Sequence, residues 1–296
     1  MAASSWERAI PKLNSVGAWL STAAVTAAVL VSAPAAFANT TNSTNWAGYA
    51  IHRPGLSFHS VQGTWTQPTL TCTPGIRAYS SYWVGLGGYS VNSSALEQIG
   101  TEADCTASGR SRSTAWYELV PAPSVQLRLV VRPGDLMRAR VRVDGHRVVV
   151  SLYDVTRGHG FTKTVRVSPV DVSSAEWIVE APSECLGAYE CQSLPLANFG
   201  STEFGSAIAR TVRGHVGSIS NPNWKMTKIK LVPGGRRLVS AITPDVTVGT
   251  AIPSALTAGG SAFEVTYSEL TLPAGQLFAR SSRSTPTTFL GSMLPR

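Results

Sequence analysis

The stretch LMRARVRVDGHRVVVSLYDV, residues 136 to 155, decides the fold. On either side of Asp144-Gly145-His146, apolar and polar residues alternate with the period of two that places successive side chains on opposite faces of a strand. Asp-Gly between two alternating runs is a strong hairpin signal. Residues 136 to 143 and 147 to 155 are therefore expected as antiparallel strands, with Arg138, Arg140 and Arg142 on the wet face.

The same texture continues outward. TKTVRV, 162 to 167, follows Gly158 and Gly160, and upstream lie VQGTWTQP at 61, YSSYWVGLGG at 79, STAWYELV at 113 and VQLRLVVRPGD at 125. Downstream come SAEWIVEAP at 174, PLANFGSTEF at 195 and AFEVTYS at 262 to 268. Short runs broken by turn residues, with no sustained 3.6-residue period and no repeat, point to an all-β, two-sheet antiparallel sandwich. The strand–helix alternation that builds parallel sheets is missing.

Both ends read differently from this middle. Arg8 and Lys12 precede an apolar run that closes on the small-x-small site Ala36-Phe37-Ala38, so residues 1–38 are expected as a secretory signal peptide and the mature chain as a secreted protein. No later segment approaches a membrane span, so no membrane partner is expected after cleavage. Residues 39–45, NTTNSTN, read as a short polar lead-in, 46–268 as the folded domain, and 269–296, rich in Ser, Thr, Pro and Arg, as a flexible C-terminal tail. Cleavage would leave 296 − 38 = 258 residues, enough for one large core, expected as a monomer. Net charge is +8 for the whole chain, and removing Arg8, Lys12 and Glu7 leaves +7. The basic residues are spread along strand-like segments without interleaved aromatics, which argues against a nucleic-acid partner.

Four cysteines, Cys72, Cys105, Cys185 and Cys191, in an exported chain imply disulfides, and chain order favours Cys72 with Cys105 and Cys185 with Cys191. No C-x-x-C or H-E-x-x-H spacing occurs, so neither a metal site nor a cofactor is expected. There is no G-x-S-x-G elbow and no phosphate loop. What remains is a set of polar and aromatic residues on sheet-like segments: Trp46, Trp83, Gln98, Glu102, Trp116, Glu118 and Glu176. In ALEQIGTEADC, 95 to 105, period two puts Leu96, Gln98, Gly100 and Glu102 on one face and turns Glu97 away. In SAEWIVE, Glu176 shares its face with Ile178, while Trp177 and Trp65 read as core. Such a face suits three uses: hydrolysis by a carboxylate-activated water with an amide steadying the oxyanion, glycoside cleavage between two carboxylates, or non-catalytic binding of glycans or peptides.

Six motifs in order narrow the choice: NWAGY (45–49), GTWTQP (63–68), YWVGLGG (82–88), LEQIGTE (96–102), AWYE (115–118) and SAEWIVE (174–180). Together they resemble the glutamic peptidases, the eqolisin family. The excess of 20 arginines over 5 lysines and the near-absence of a pro-segment suggest a bacterial-type member. The resemblance implies a concanavalin/lectin-like jelly roll with a concave active-site sheet, and acid-active cleavage of protein or peptide substrates without metal or cofactor. It places Gln98 and Glu176 as the catalytic pair, with Trp46, Trp83, Glu102, Trp116 and Glu118 lining the substrate cleft. Gly87 stands where fungal members commonly carry an acid.

Overall fold

The computed structural model describes residues 39–186, 190–232 and 246–272. The expected signal peptide lies outside the described residues. The strands, in chain order, are β1 (Asn39–Ser43), β2 (Trp46–His52), β3 (Phe58–Thr66), β4 (Ala78–Gly87), β5 (Leu96–Cys105) and β6 (Ser111–Val120). They continue with β7 (Val125–Leu127), β8 (Leu136–Asp144), β9 (Arg147–Asp154), β10 (His159–Arg166), β11 (Ser174–Glu180) and β12 (Ser183–Leu186). The last six are β13 (Glu190–Ser193), β14 (Ser201–Thr211), β15 (Val216–Ser218), β16 (Lys225–Leu231), β17 (Val246–Pro253) and β18 (Phe263–Leu272).

The hairpin at 136 to 155 forms as expected. Asp144 pairs with Arg147, leaving Gly145 and His146 as a two-residue loop in which Gly145 takes φ +57. This left-handed turn matches the right-handed strand twist and favours glycine. Burial along β8 alternates without a break, with Met137, Ala139, Val141 and Val143 inside and the arginines outside.

The ladder runs β10-β9-β8-β3-β14-β18-β17-β16-β2-β11-β4-β5-β6-β7, with β1 and β15 attached at its sides and β12-β13 as a separate hairpin. The sandwich is thus one continuous sheet folded on itself, its two layers joined through β18, β17 and β16. Strands β3, β8 and β9 of one layer pack on β4, β5 and β11 of the other. Between them lies the main core, including Trp65, Trp177, Val84, Ile99, Val141 and Phe204. Two indoles stitch the layers polar atom to polar atom: Trp177 Nε1 donates to the Gln62 carbonyl at 2.8 Å and Trp65 Nε1 to Thr101 Oγ1 at 2.9 Å. Each satisfies a group that would otherwise be costly to bury.

Within the polar segment NTTNSTN, Asn39–Ser43 is extended and pairs in parallel with Thr227–Leu231 of β16. At the other end, β18 runs through Leu272, past the expected start of the tail at 269; residues beyond 272 lie outside the described residues. In VQLRLVVRPGD only Val125–Leu127 joins the ladder. Leu129 and Val131 are nonetheless buried, so the period-two pattern there reports packing rather than pairing. Cys72 and Cys105 are bridged, joining the loop before β4 to the end of β5. Cys185 and Cys191 face each other in the β12–β13 register, but their side chains lie outside what is described.

Candidate active site

Gln98 and Glu176 are placed by register rather than by proximity in the chain. Glu176 of β11 pairs with Gly85 of β4, Gly85 with Gln98 of β5, and Gln98 with Glu118 of β6. On the other side Glu176 pairs with Ala50 of β2, and Ala50 with Thr227 of β16. Residues in register across neighbouring strands share a face, so this single rung carries Glu118, Gln98, Glu176 and Thr227 on the side away from the main core. Glu176 and Gln98 stand two strands apart, about 10 Å between backbones at the usual strand spacing. Between them is a residue without a side chain.

Gly85 keeps that gap open. A Cβ there would sit 2.9 Å from Trp83 Cζ3 and 3.3 Å from Gln98 Cβ, so any other residue would press on both the indole and the glutamine. The next rung, Gly48, Ile178, Trp83, Gly100 and Trp116, supplies an apolar floor. A second apolar cluster forms here, separate from the main core, built on Trp46, Trp83, Trp116, Leu96 and Ile178. Trp46 meets Trp83 edge-on at 5.0 Å between centroids. All the residues expected to line the site therefore lie on this one face, with Glu102 on the following rung beside Ser81 and Thr114.

The polar atoms are strongly ordered. Gln98 Nε2 donates to Glu118 Oε2 at 2.8 Å, whereas Gln98 Oε1 has no hydrogen-bond partner among the described residues. Neither Glu176 oxygen has one. Burial drives the Glu176 carboxyl well above the usual carboxylate range, and the nearby charges of Asp171 and Glu97 push it further. Ser174 opposes this only in part, its hydroxyl lying outside hydrogen-bond geometry. Burial also raises Glu102, with Thr114 and Arg112 pulling the other way. An open cleft was expected, yet Trp46, Trp83, Gln98 and Glu176 have 0% exposure, so the face is closed at the central rung.

Two carboxylates, Glu180 and Asp171, escaped the sequence reading, and a third, Glu97, is more than a residue turned away. Glu180 accepts the Trp83 indole N–H at 2.8 Å and the Asn45 amide at 3.3 Å, fixing the floor. It stands four residues after Glu176 in SAEWIVE, so the period already put it on the site face. Asp171, on the loop before β11, accepts hydrogen bonds from Ser93 Oγ, the Gly88 N–H at 3.3 Å and the Ser173 N–H at 2.8 Å. Those donors outweigh its partial burial and hold its carboxyl below the usual range. Its side chain fills the space over Gly87, where a Cβ would come within 2.6 Å of Asp171 Cβ. An acid thus reaches this place from another segment, which no linear motif could reveal. Glu97 does face away from Gln98, as expected, but it is not inert. It is fully buried, its oxygens have no hydrogen-bond partner among the described residues, and its carboxyl is pushed up to about 8 by burial, the Asp171 charge adding to this and the nearby backbone N–H groups of Asp171 and Glu97 opposing it.

One face of this continuous antiparallel sandwich carries a carboxyl, an amide and a tryptophan floor on neighbouring rungs. The profile of the peptidase A4 family matches residues 44–248, and the chain belongs to that family. Among solved structures, the chain is similar to Scytalido-glutamic peptidase with a peptide-based transition-state analogue, at 20% identity and TM-score 0.57 over 76% of this chain and 98% of that one. It is also similar to SCP-B, a member of the eqolisin family in complex with the tripeptide Ala-Ile-His, at 19% identity and TM-score 0.54 with the same coverage. At these identities the likeness speaks for the fold. No curated protein sequence matches the chain.

Proposed function

We propose that this peptidase is a secreted, acid-active endopeptidase in which Glu176 and Gln98 carry the reaction. The observation that supports this most is the rung itself: a carboxyl and an amide with uncommitted oxygens, facing one another across Gly85. In its ionised form Glu176 takes a proton from a water, and the resulting hydroxide attacks the peptide carbonyl carbon. The carbonyl oxygen gains the charge, and the second N–H of Gln98 steadies it. Glu176 then returns the proton to the leaving nitrogen as the C–N bond breaks.

Glu118 is the positioning group. Its carboxylate accepts a hydrogen bond from one amide N–H of Gln98, which turns the nitrogen toward β6, leaves the second N–H for the oxyanion and directs Oε1 to the water. Trp83 and Trp116 form the apolar floor against which substrate side chains pack. Burial raises the proton affinity of Glu176, which favours its later role as the acid that protonates the leaving nitrogen, while the water-activating step draws on its ionised minority in acid.

The test is digestion of a denatured protein by the purified mature chain from about pH 2 to pH 7, with a chelator and a serine-protease inhibitor, beside Gln98→Ala. Acid cleavage insensitive to both reagents and reduced on the order of 100- to 1,000-fold in the folded variant supports the reading. An inert wild type, or full activity in Gln98→Ala, overturns it in favour of a binding sandwich.

A further inference from the structure

The charges of this molecule are sorted by depth. Among the residues whose burial is described, the exposed carboxylates are Asp144, Glu184, Glu203, Glu264 and Glu269, the other acids there being wholly or partly buried. The arginines stay outside, and they concentrate on the outer face of one layer. Arg138, Arg140 and Arg142 of β8 point outward at successive even positions. Arg142 pairs in register with Ser60 of β3, which pairs with Arg210 of β14. Asp144 pairs with Arg147 of β9, which pairs with Arg166 of β10. All six arginines are exposed, and none makes an ion pair among the described residues.

The result is a cationic grid. Arg138, Arg140 and Arg142 repeat about every 6.8 Å along β8, and Arg147 and Arg166 stand about 4.8 Å apart on neighbouring strands, both shorter than the roughly 8 Å over which physiological salt screens charge, so neighbouring guanidinium groups act together on one ligand. Asp144 is the one acid on β8, β9 and β10 facing outward, and β14, which supplies Arg210, carries the exposed Glu203. Because β8 and β9 pack their inner face on β5, the grid and the Glu176–Gln98 rung lie on opposite outer faces of the sandwich.

We propose that the outer face of β8, β9 and β10 is a docking surface for a linear anionic polysaccharide, which would hold the enzyme by one face and leave the catalytic face free. Guanidinium forks bind carboxylate and sulfate oxygens in pairs, and a flat sheet suits an extended chain. The alternatives fit less well. Single-stranded nucleic acid is bound by stacking on aromatics, and these outward positions carry only Tyr153. Membrane association needs an apolar face to insert, and the exposed apolar side chains here are only Leu136 and Tyr153.

The experiment is salt elution of the purified protein from immobilised heparin, with neutral dextran as control. Three proteins are compared: wild type, Arg138→Gln/Arg140→Gln/Arg142→Gln, and Arg53→Gln/Arg77→Gln/Arg128→Gln, which removes the same charge from exposed sites elsewhere. Wild type and the second variant should elute together, and the first should elute at less than half their salt concentration, with hydrolysis of a short peptide unchanged in all three. Arg140→Glu alone should lower elution measurably, which covers the case of a poorly folded triple variant. Equal weakening of the two triple variants, or a wild type that passes through heparin, overturns the proposal. So does tighter, equally Arg140-dependent binding to single-stranded DNA or anionic vesicles.

Discussion

Replacing Glu97 by glutamine should make the protein more stable above about pH 4.5, with the full gain reached above about pH 8. In the unfolded chain this carboxyl ionises near its ordinary value of 4.5, whereas in the folded chain it holds its proton to about 8. Between those values the unfolded state binds fewer protons, so the stability contributed by this group falls as pH rises. The difference of 3.5 pH units, at about 1.36 kcal/mol each, puts the full loss at roughly 5 kcal/mol once pH exceeds the folded value. Glutamine is a neutral isostere of the protonated acid and has no proton to lose. Urea unfolding at pH 4 should give the same free energy for wild type and Glu97→Gln within about 1 kcal/mol. At pH 9 the variant should be ahead by as much as about 5 kcal/mol, corresponding to some 10 to 20 °C in midpoint for a domain of this size. A variant no more stable than wild type at pH 9, or one shifted equally at both pH values, would refute the reasoning. In the first case Glu97 is not buried with its proton; in the second its effect is packing rather than charge.

Glu118→Ala should reduce kcat by about 10- to 100-fold, the worth of one charge-assisted hydrogen bond, while circular dichroism stays unchanged; steady-state kinetics on a short peptide will show it. Gly85→Ala should fold and lose activity, because its Cβ meets Trp83 at 2.9 Å beside Gln98; near wild-type activity would show that the gap is not needed. Non-reducing peptide mapping should recover the Cys72–Cys105 bridge and a second between Cys185 and Cys191, whose backbones face each other in register. For the first, whose sequence separation is 33, reduction should cost about 3 to 4 kcal/mol by loop-closure entropy.

Fold class was legible because the chain alternates where it is half-buried. The 136–155 hairpin, with its Asp-Gly turn and unbroken inside–outside pattern, is the clearest case. The face-sharing of Leu96, Gln98, Gly100 and Glu102 followed from the same period. Strands β16 and β17 went unread, although KMTKIKL alternates well enough to have been found. What the period could not supply was register between distant strands. That Glu176, Gly85, Gln98 and Glu118 fall on one rung depends on pairings 13 to 91 residues apart in sequence. The same limit hid Asp171, whose carboxyl reaches the site from a loop, while Glu97 was legible as turned away from Gln98 but not as fully buried.

The most direct measurement is kcat of Glu176→Gln at acid pH, taken together with its urea unfolding curve. Removing a group that both accepts and donates the proton should lower kcat by about 100- to 10,000-fold. The unfolding midpoint should be unchanged in acid, since the buried carboxyl is neutral there and glutamine matches it in shape. A folded Glu176→Gln protein that cleaves peptides within tenfold of wild type would contradict a catalytic role for this carboxyl.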